Sequence, residues 1–359
     1  MALNLTDIMR DVLLTDSPDL HLQVGQPPMI RLKNGDIAPM DSKELLTKED
    51  VEGVIAAITT DEQRERFKKD FELDFSYHIG KVSRFRVNIF QEKNGPAIAF
   101  RMIAEEIPTL DELGLGDMAK FLAMQPNGLV LVTGPTGMGK STTMASIIDY
   151  INANRKAHII TIEDPIEFVY KSKQSLVTQR EVNNHTHSFA NAIRAALRED
   201  PDVVMVGEMR DLETIAAAIT LAETGHLVFS TLHTSDAAHT IDRVIDVFPP
   251  YQQQQIRAQL AGTLKGVISQ ILVPRADGAG RVAARETMVV NDAVRNCISK
   301  GETHQIYSVM QIGAQEGMVL MDKSLEDLAR AGLITADEAL SKATDPQYLQ
   351  SRLRELVNV

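Results

Sequence analysis

An α/β fold built from two blocks of different strand type is predicted by three features of this 359-residue sequence. In residues 1–103, apolar and polar residues alternate in short segments, as they do in the half-buried strands of antiparallel sheets. From residue 118, short apolar runs alternate with helical stretches, which is the pattern of a parallel, doubly wound sheet. After about residue 275 the sequence becomes mostly helical.

Residues 1–103 are predicted to form one domain with a mainly antiparallel sheet. Apolar residues at helical spacing predict a helix over residues 3–14, and alternation predicts strands at residues 20–24, 71–77, 85–90 and 97–103. Residues 104–117 carry charges, a proline and two glycines, so we predict a linker there.

The second block divides into a core at residues 118–275 and a mostly helical region at residues 276–359. Four short apolar runs predict the buried parallel strands of the core, at residues 129–133, 158–163, 203–207 and 227–232. Ligands of such sheets bind beyond the carboxyl ends of the strands. The residues that follow these four strands are therefore the first candidates for a functional site.

The composition excludes several classes of protein. The net charge of −12 argues against broad, non-specific nucleic-acid binding, which depends on clustered Lys and Arg. A single cysteine, Cys297, excludes an internal disulfide framework and a multi-cysteine zinc site. No segment approaches 18 uninterrupted apolar residues, so no membrane span is expected, and no secretory signal is visible at the N-terminus.

A phosphate-binding loop follows the strand at residues 129–133. Residues 134–141 fit the motif G-x-x-x-x-G-K-[ST], and a predicted helix at residues 141–154 begins where the motif ends. Backbone N–H groups can curl around phosphate oxygens, Lys140 can reach the β- and γ-phosphates, and the Ser141 hydroxyl can bind Mg²⁺. The predicted nucleotide contacts are Gly134, Pro135, Thr136, Gly137, Met138, Gly139, Lys140, Ser141 and Thr142.

Ionisable residues follow three other core strands. Glu163, Glu208 and His233 come at or after the strands at residues 158–163, 203–207 and 227–232, so they should meet the loop at one edge of the sheet. ATP hydrolysis needs a carboxylate to orient the attacking water and another to hold Mg²⁺. Because Gly207 precedes Glu208, this strand offers one carboxylate instead of a pair, and the residues alone leave the roles of the two glutamates interchangeable.

Four linked segments resemble the secretion and type IV pilus ATPases, and most closely the PilT-type retraction ATPases that act in twitching motility. They are the loop at 134–141, an acidic box at 161–167, a Walker B segment at 200–211 and a histidine box at 223–233. Residues 192–200 and 17–22 also resemble this family. The similarity runs over nearly the whole chain.

The resemblance implies a fold and an activity. It implies a PAS-like N-terminal domain, a RecA-like ATPase domain and a homohexameric ring that converts ATP hydrolysis into pilus retraction. The partners implied are an inner-membrane platform protein at the cytoplasmic face of the membrane and, as a further candidate, a second retraction ATPase. Glu163 and Glu208 would share the water-activating and Mg²⁺ roles, with His233 on the γ-phosphate and His226 as a second nucleotide contact.

Arginines of the N-terminal domain complete the site in this family. Arg86 and Arg101 match these positions best, and Arg84 is the alternate. Cationic side chains stabilise charge on a phosphoryl group during its transfer. From the residues alone, an arginine on a strand is expected on a solvated face, because arginine is mostly exposed. Three further arginines, Arg194, Arg198 and Arg210, are candidates for lining the nucleotide site or a subunit contact and are left unassigned.

The sequence departs from the retraction family at residues 293–300. Arg295 and Asn296 of the retraction segment are kept, whereas its second arginine and its glutamate are absent, which bears on output and not on hydrolysis. Pilus extension and type II secretion ATPases are the first alternative, but they usually carry a further N-terminal domain and four zinc-binding cysteines. A RecA-like ATPase acting on nucleic acid and a nucleotide-gated scaffold with little turnover are the others.

Overall fold

The computed structural model describes residues 5–15, 17, 19–32, 36–40, 44–79, 83–103 and 106–354. The described residues form two compact units. The first extends to Glu106 and includes Pro165–Val169, and the second comprises Ile107–Asp164 and the chain from Tyr170 onward. The start of the helix predicted at residues 3–14 and residues 104 and 105 of the predicted linker lie outside the described residues.

The first unit contains a six-stranded sheet in the order β3-β2-β1-β6-β5-β4, and every neighbouring pair is antiparallel. The predicted antiparallel sheet is therefore confirmed. Its strands are β1 (Asp19–Gln23), β2 (Met29–Arg31), β3 (Ile37–Pro39), β4 (Glu72–Ile79), β5 (Ser83–Glu92) and β6 (Gly95–Ile103). Its helices are α1 (Leu5–Thr15), α2 (Lys48–Ile58) and α3 (Asp61–Asp70).

Alternation along these strands builds the core of the first unit. Inward-facing residues of β1, β5 and β6 pack with apolar residues of α1 and α2 in one cluster. Within it, the rings of Phe85 and Phe100 meet edge to face with centroids 6.3 Å apart. Edge-to-face contacts of this kind stabilise a core beyond the effect of burying the two rings. The outward-facing residues of the same strands carry the arginines considered below.

The second unit contains a seven-stranded sheet in the order β13-β12-β7-β11-β10-β8-β9. Its strands are β7 (Gly128–Thr133), β8 (His158–Glu163), β9 (Leu176–Glu181), β10 (Val203–Val206), β11 (Leu227–Leu232), β12 (Leu264–Pro274) and β13 (Arg281–Val289). Its helices are α4 (Gly116–Ala123), α5 (Lys140–Asn154), α6 (Phe189–Ala196), α7 (Leu212–Glu223), α8 (Ala237–Asp246), α9 (Pro250–Thr263), α10 (Asp292–Lys300), α11 (Ile306–Ile312), α12 (Met321–Arg330), α13 (Ala336–Lys342) and α14 (Pro346–Arg352).

Six neighbouring strands of this sheet run parallel to one another: β12, β7, β11, β10, β8 and β9. The seventh strand, β13, lies at the edge and is antiparallel to β12. All residues of β7, β10 and β11 are buried, as expected for strands covered by helices on both faces. The four predicted strands and the α/β fold class are thus confirmed. The parallel register brings the carboxyl ends of β7, β8, β10 and β11 to one edge.

Three strands of this sheet, β9, β12 and β13, were not predicted, and β13 lies in the region expected to be mostly helical. β12 follows α9 directly, and β13 pairs with it along nine consecutive residue pairs, from Gly266 opposite Val289 to Pro274 opposite Arg281. From α10 to α14 the chain is helical, as expected. Within the described ranges, no helix is long and apolar enough to cross a membrane.

A buried carboxyl group on β13 links two helix N-termini. Glu286 accepts a hydrogen bond from the backbone N–H of Ala237 at 2.9 Å and another from the N–H of Met321, so it joins the first turns of α8 and α12. Burial raises the pKa of Glu286 to about 7, and the nearby Asp236 and Asp322 carboxylates add to this rise.

We predict that Glu286→Gln removes part of the pH dependence of stability. Between the ordinary pKa of 4.5 and about 7, the folded protein keeps a proton that the unfolded chain has released, so the free energy of unfolding falls as pH rises through this window. The loss amounts to about 3 kcal/mol. Urea unfolding of both proteins from pH 4 to pH 8 measures it. A difference between them that stays constant over this range would contradict the prediction.

Candidate functional site

The phosphate loop lies between a buried strand and a helix, as the sequence predicts. β7 ends at Thr133, and α5 begins at Lys140, so the loop residues 134–139 stand at the carboxyl edge of the sheet. Ser141 is exposed on the first turn of α5. A helix leaves its first backbone N–H groups without partners of its own, which makes a helix N-terminus suited to binding phosphate.

Gly134 is required where the loop leaves the sheet. Its φ of 143° is accessible mainly to glycine, and a Cβ built on it would lie 2.2 Å from the backbone oxygen of Gln270. Gln270 belongs to β12, the neighbour of β7, and the two strands are also joined by a 2.8 Å hydrogen bond between the hydroxyls of Thr133 and Ser269. The start of the loop therefore packs directly on β12.

Lys140 is buried, and its ammonium lies inside the curve of the loop. It donates to the backbone oxygens of Gly134 at 2.7 Å and Pro135 at 3.0 Å, and to Nδ1 of His233 at 3.3 Å. Because an ammonium group has no acceptor, Nδ1 accepts and the proton of a neutral imidazole is on Nε2. The Thr136 hydroxyl lies 3.5 Å from the same Nδ1.

His233 connects Lys140 to Glu208. Its Nε2 lies 2.7 Å from Oε1 of Glu208, and the same oxygen accepts a hydrogen bond from Nε of Arg210 at 2.5 Å. Burial on its own would raise the pKa of Glu208, but the interactions with Arg210 and His233 outweigh it and hold that pKa below its ordinary value. Glu208 is therefore a carboxylate at neutral pH.

Glu163 is a buried carboxyl group at the end of β8, the strand next to β10. Its Oε1 accepts hydrogen bonds from the Thr161 hydroxyl at 2.6 Å and from the Gln179 amide at 3.2 Å. Gly207 lies close beside it, and a Cβ there would make a tight contact, 3.2 Å from the backbone oxygen of Ile162. This close approach gives a physical reason for a single carboxylate at the end of β10.

The structure does not bring His226 to the loop. His226 comes just before β11, with Nδ1 3.0 Å from the backbone oxygen of Leu221, whereas His233 comes just after this strand. The seven residues from one to the other span about 20 Å of extended chain. Its backbone oxygen accepts from the N–H of Gly128 at 3.0 Å, at the amino end of β7. Within this chain, His226 therefore lies at the opposite edge of the sheet.

The arginines predicted to complete the site belong to the first unit. Arg86 and Arg101 are directly opposite each other on β5 and β6. Two cations in this arrangement repel each other. Each is paired with an acid, because Arg86 contacts Asp74 at 3.0 Å and Arg101 contacts Asp19 at 2.8 Å. The alternate, Arg84, is buried and donates to the Ser76 hydroxyl at 2.9 Å.

Four further residues touch the predicted site: sequence reasoning assigned no role to Thr161, Gln179 and Gln270, and it named Arg210 but left it unassigned. Thr161 and Gln179 bind Glu163, Arg210 binds Glu208, and Gln270 contacts the loop. The signal for Gln270 was the polar pair Ser269-Gln270 inside the apolar run at residues 267–273. For Arg210 it was only nearness to Glu208 in the sequence.

Comparison with known proteins identifies relatives over nearly the whole chain. Residues 5–352 match the family described as "Type II/IV secretion system protein". A type IV pilus retractation ATPase, PilT, of Pseudomonas aeruginosa is 48% identical over 345 residues, which cover 96% of this chain and 99% of that protein. A twitching motility protein of Neisseria gonorrhoeae is 50% identical over 322 residues, which cover 90% of this chain and 86% of that protein.

A solved structure has the same fold. The crystal structure of the pilus retraction motor PilT with bound ADP superimposes with a TM-score of 0.91 and 45% sequence identity, covering 97% of this chain and 99% of that one. The resemblance to PilT-type retraction ATPases of the secretion ATPase family is confirmed by these three comparisons.

We predict that Gly134→Ala destabilises the protein more than Gly137→Ala. Both glycines have positive φ, but a Cβ on Gly134 would meet the backbone of Gln270, whereas a Cβ on Gly137 has nothing within 4 Å. The difference in the free energy of unfolding should be about 2 kcal/mol or more, as expected for overpacking against backbone. Thermal unfolding of both variants measures it, and equal melting temperatures would contradict the contact described here.

Proposed function

The chain belongs to the type II/IV secretion system protein family, and we propose that it is an ATP-hydrolysing motor that powers the retraction of type IV pili. The observation that carries the proposal is the connected set of Lys140, His233 and Glu208 at the mouth of the phosphate loop. It supplies a phosphate cradle, a group that can detect the γ-phosphate and a carboxylate within one edge of the sheet. The names of the relatives support the same activity.

The loop residues Gly134, Pro135, Thr136, Gly137, Met138, Gly139, Lys140, Ser141 and Thr142 hold the nucleotide. Their backbone N–H groups and the N-terminus of α5 bind phosphate oxygens, and Lys140 binds the β- and γ-phosphates. His233 is placed to detect the γ-phosphate, because Nδ1 shares the Lys140 ammonium and lies near the Thr136 hydroxyl. His226 is far from these groups in the chain and is not part of this proposed set.

Ser141 and Glu208 are the proposed protein ligands of Mg²⁺. When bound, Mg²⁺ neutralises charge that develops on the phosphoryl oxygens. The ion keeps several waters and usually takes only one or two protein oxygens besides the phosphates, so a hydroxyl and an ionised carboxylate fit it. No group of three or more His, Cys, Asp or Glu residues suited to a metal ion occurs in the part of the chain that the structure describes.

The two glutamates differ in a way that assigns their roles. The pKa of Glu208 is lowered and its charge is balanced by Arg210, so it is a weak base and suits a Mg²⁺ or water-shell ligand better. Glu163 is fixed by a hydroxyl and an amide that both bind Oε1, and this fixes the direction of the carboxyl group. We therefore assign Glu163 to orienting and deprotonating the attacking water.

The arginines and the domain division belong to the same proposal. Arg86 and Arg101 would stabilise the transferred phosphoryl group, and their cross-strand pairing lets the two cations act at one place.

The proposed domains divide the chain into four parts. Residues 1–103 form the PAS-like domain, residues 104–117 the linker, residues 118–275 the RecA-like core and residues 276–359 the mostly helical region. Motion between the two domains transmits the work of hydrolysis.

The proposed working form is a homohexamer at the cytoplasmic face of the inner membrane. It engages the inner-membrane platform protein and drives pilin subunits back into the membrane. A second retraction ATPase is a further proposed partner. The altered segment at residues 293–300 lies within α10, and we propose that its changes affect the output of the motor and not hydrolysis.

Deletion of the gene in its host tests retraction against extension. Surface pili are counted and followed in time with a fluorescent pilin label. We expect abundant pili that never shorten, because assembly continues without the motor that reverses it. Cells without pili would contradict the proposal and would make the protein an extension motor.

The assigned carboxylates can be separated by their Mg²⁺ requirement. Glu163→Gln should lower kcat at least about a hundredfold at an unchanged Mg²⁺ requirement, because the water loses its base. Glu208→Gln should raise the Mg²⁺ concentration for half-maximal turnover, because the ion loses a charged ligand. Phosphate release is measured against Mg²⁺ concentration, with Glu62→Gln on an exposed position of α3 as the control. The opposite pattern in the two variants would exchange their roles.

A further inference from the structure

β12 extends beyond the carboxyl end of its parallel neighbour, β7. The last paired residues are Thr133 of β7 and Ser269 of β12, while β12 continues through Gln270 to Pro274 alongside β13. The phosphate loop leaves β7 at this point. On the edge that faces β7, the projecting part of β12 is therefore beside the loop, while its other edge stays paired with β13.

The side chain of Gln270 joins the end of the loop to the first turn of α5. Its Nε2 donates to the backbone oxygen of Met138 at 2.5 Å, and its Oε1 accepts from the Thr143 hydroxyl at 2.8 Å. Both Gln270 and Thr143 are 1% exposed. Met138 precedes the final glycine of the loop, and Thr143 is in the first turn of α5.

Two glycines of the motif face this one residue. A Cβ on Gly134 would lie 2.2 Å from the backbone oxygen of Gln270, and a Cβ on Gly139 would lie 3.3 Å from its Nε2. Two residues further along β12, the backbone N–H of Leu272 donates to the sulfur of Met138 at 3.2 Å. The loop is thus in contact with β12 at its first glycine, at Met138 and at its last glycine.

We infer that Gln270 is a positioning residue that sets the conformation in which the phosphate loop binds nucleotide, and this inference rests on the proposed function. Its primary amide supplies both the donor and the acceptor that the two partners need. The carbonyl of Met138 needs a donor, and the Thr143 hydroxyl donates to the amide oxygen. Thr143 is buried and the carbonyl of Met138 is half-buried, so loss of either hydrogen bond leaves a polar group unsatisfied or lets the loop move.

The isosteric variant Gln270→Glu tests this directly. It places a carboxyl oxygen against the carbonyl oxygen of Met138 while keeping the shape of the side chain. Binding of N-methylanthraniloyl-ADP by fluorescence, and the rise in melting temperature on adding ADP, are measured for each protein. We expect Gln270→Glu to bind about tenfold or more weakly. In steady-state turnover, KM should rise more than kcat falls.

Thr143 provides a second and independent arm. Thr143→Val removes the hydroxyl while keeping the shape and should weaken ADP binding, whereas Thr143→Ser keeps the hydroxyl and should restore it. Gln255→Glu, at an exposed position of α9, makes the same chemical change as Gln270→Glu away from the loop and should bind like wild type. If Gln270→Glu fails to fold, the pair of Thr143 variants carries the test.

The outcomes separate this inference from the proposed function. If Lys140→Ala loses binding while Gln270→Glu and Thr143→Val bind ADP as wild type does, the inference is overturned and the nucleotide site stands. Equal weakening in Thr143→Val and Thr143→Ser would also overturn it, because the hydroxyl would then not be the cause. A wild-type protein that binds no nucleotide would overturn the proposed function and this inference together.

Discussion

The buried ammonium of Lys140 is the interaction on which the rest of the site depends. Two backbone oxygens of its own loop and the imidazole of His233 surround it. A charge buried in this way must be matched by hydrogen-bond partners. The loop can curl around it only because β12 supports the loop from outside, and His233 accepts from it only because β11 ends beside β7. The cation therefore couples the loop to the carboxyl edge of the sheet.

The parallel register turns this one contact into a site. β7, β8, β10 and β11 are parallel and in register, so their carboxyl ends lie along one edge, and Glu163, Glu208 and His233 arrive there. Gly207 lets β10 and β8 approach closely, and Thr161 and Gln179 orient Glu163 across β8 and β9. Strand order thus decides which side chains meet at this edge, while hydrogen bonds set the direction in which each side chain points.

The local parts of this arrangement could be predicted from the sequence. The loop, the helix after it and the residues at strand ends are all specified within a few positions of a recognisable apolar run. Gln270 could not be assigned in this way, because its partners lie more than 120 positions earlier and only strand order makes β12 the neighbour of β7. β13 was missed for the same reason, since its pairing with β12 and not its own pattern makes it a strand. His226 was placed with the nucleotide by resemblance, whereas β11 separates it from the loop.

The most direct test of the account is whether turnover at this loop drives pilus shortening. Cells lacking the gene would be complemented with wild-type protein, Lys140→Ala or Gln255→Glu at matched protein levels, and the shortening of single labelled pili would be recorded. We expect wild type and Gln255→Glu to restore shortening and Lys140→Ala to leave pili extended. Normal shortening with Lys140→Ala would contradict the account, because retraction would then not depend on the phosphate loop.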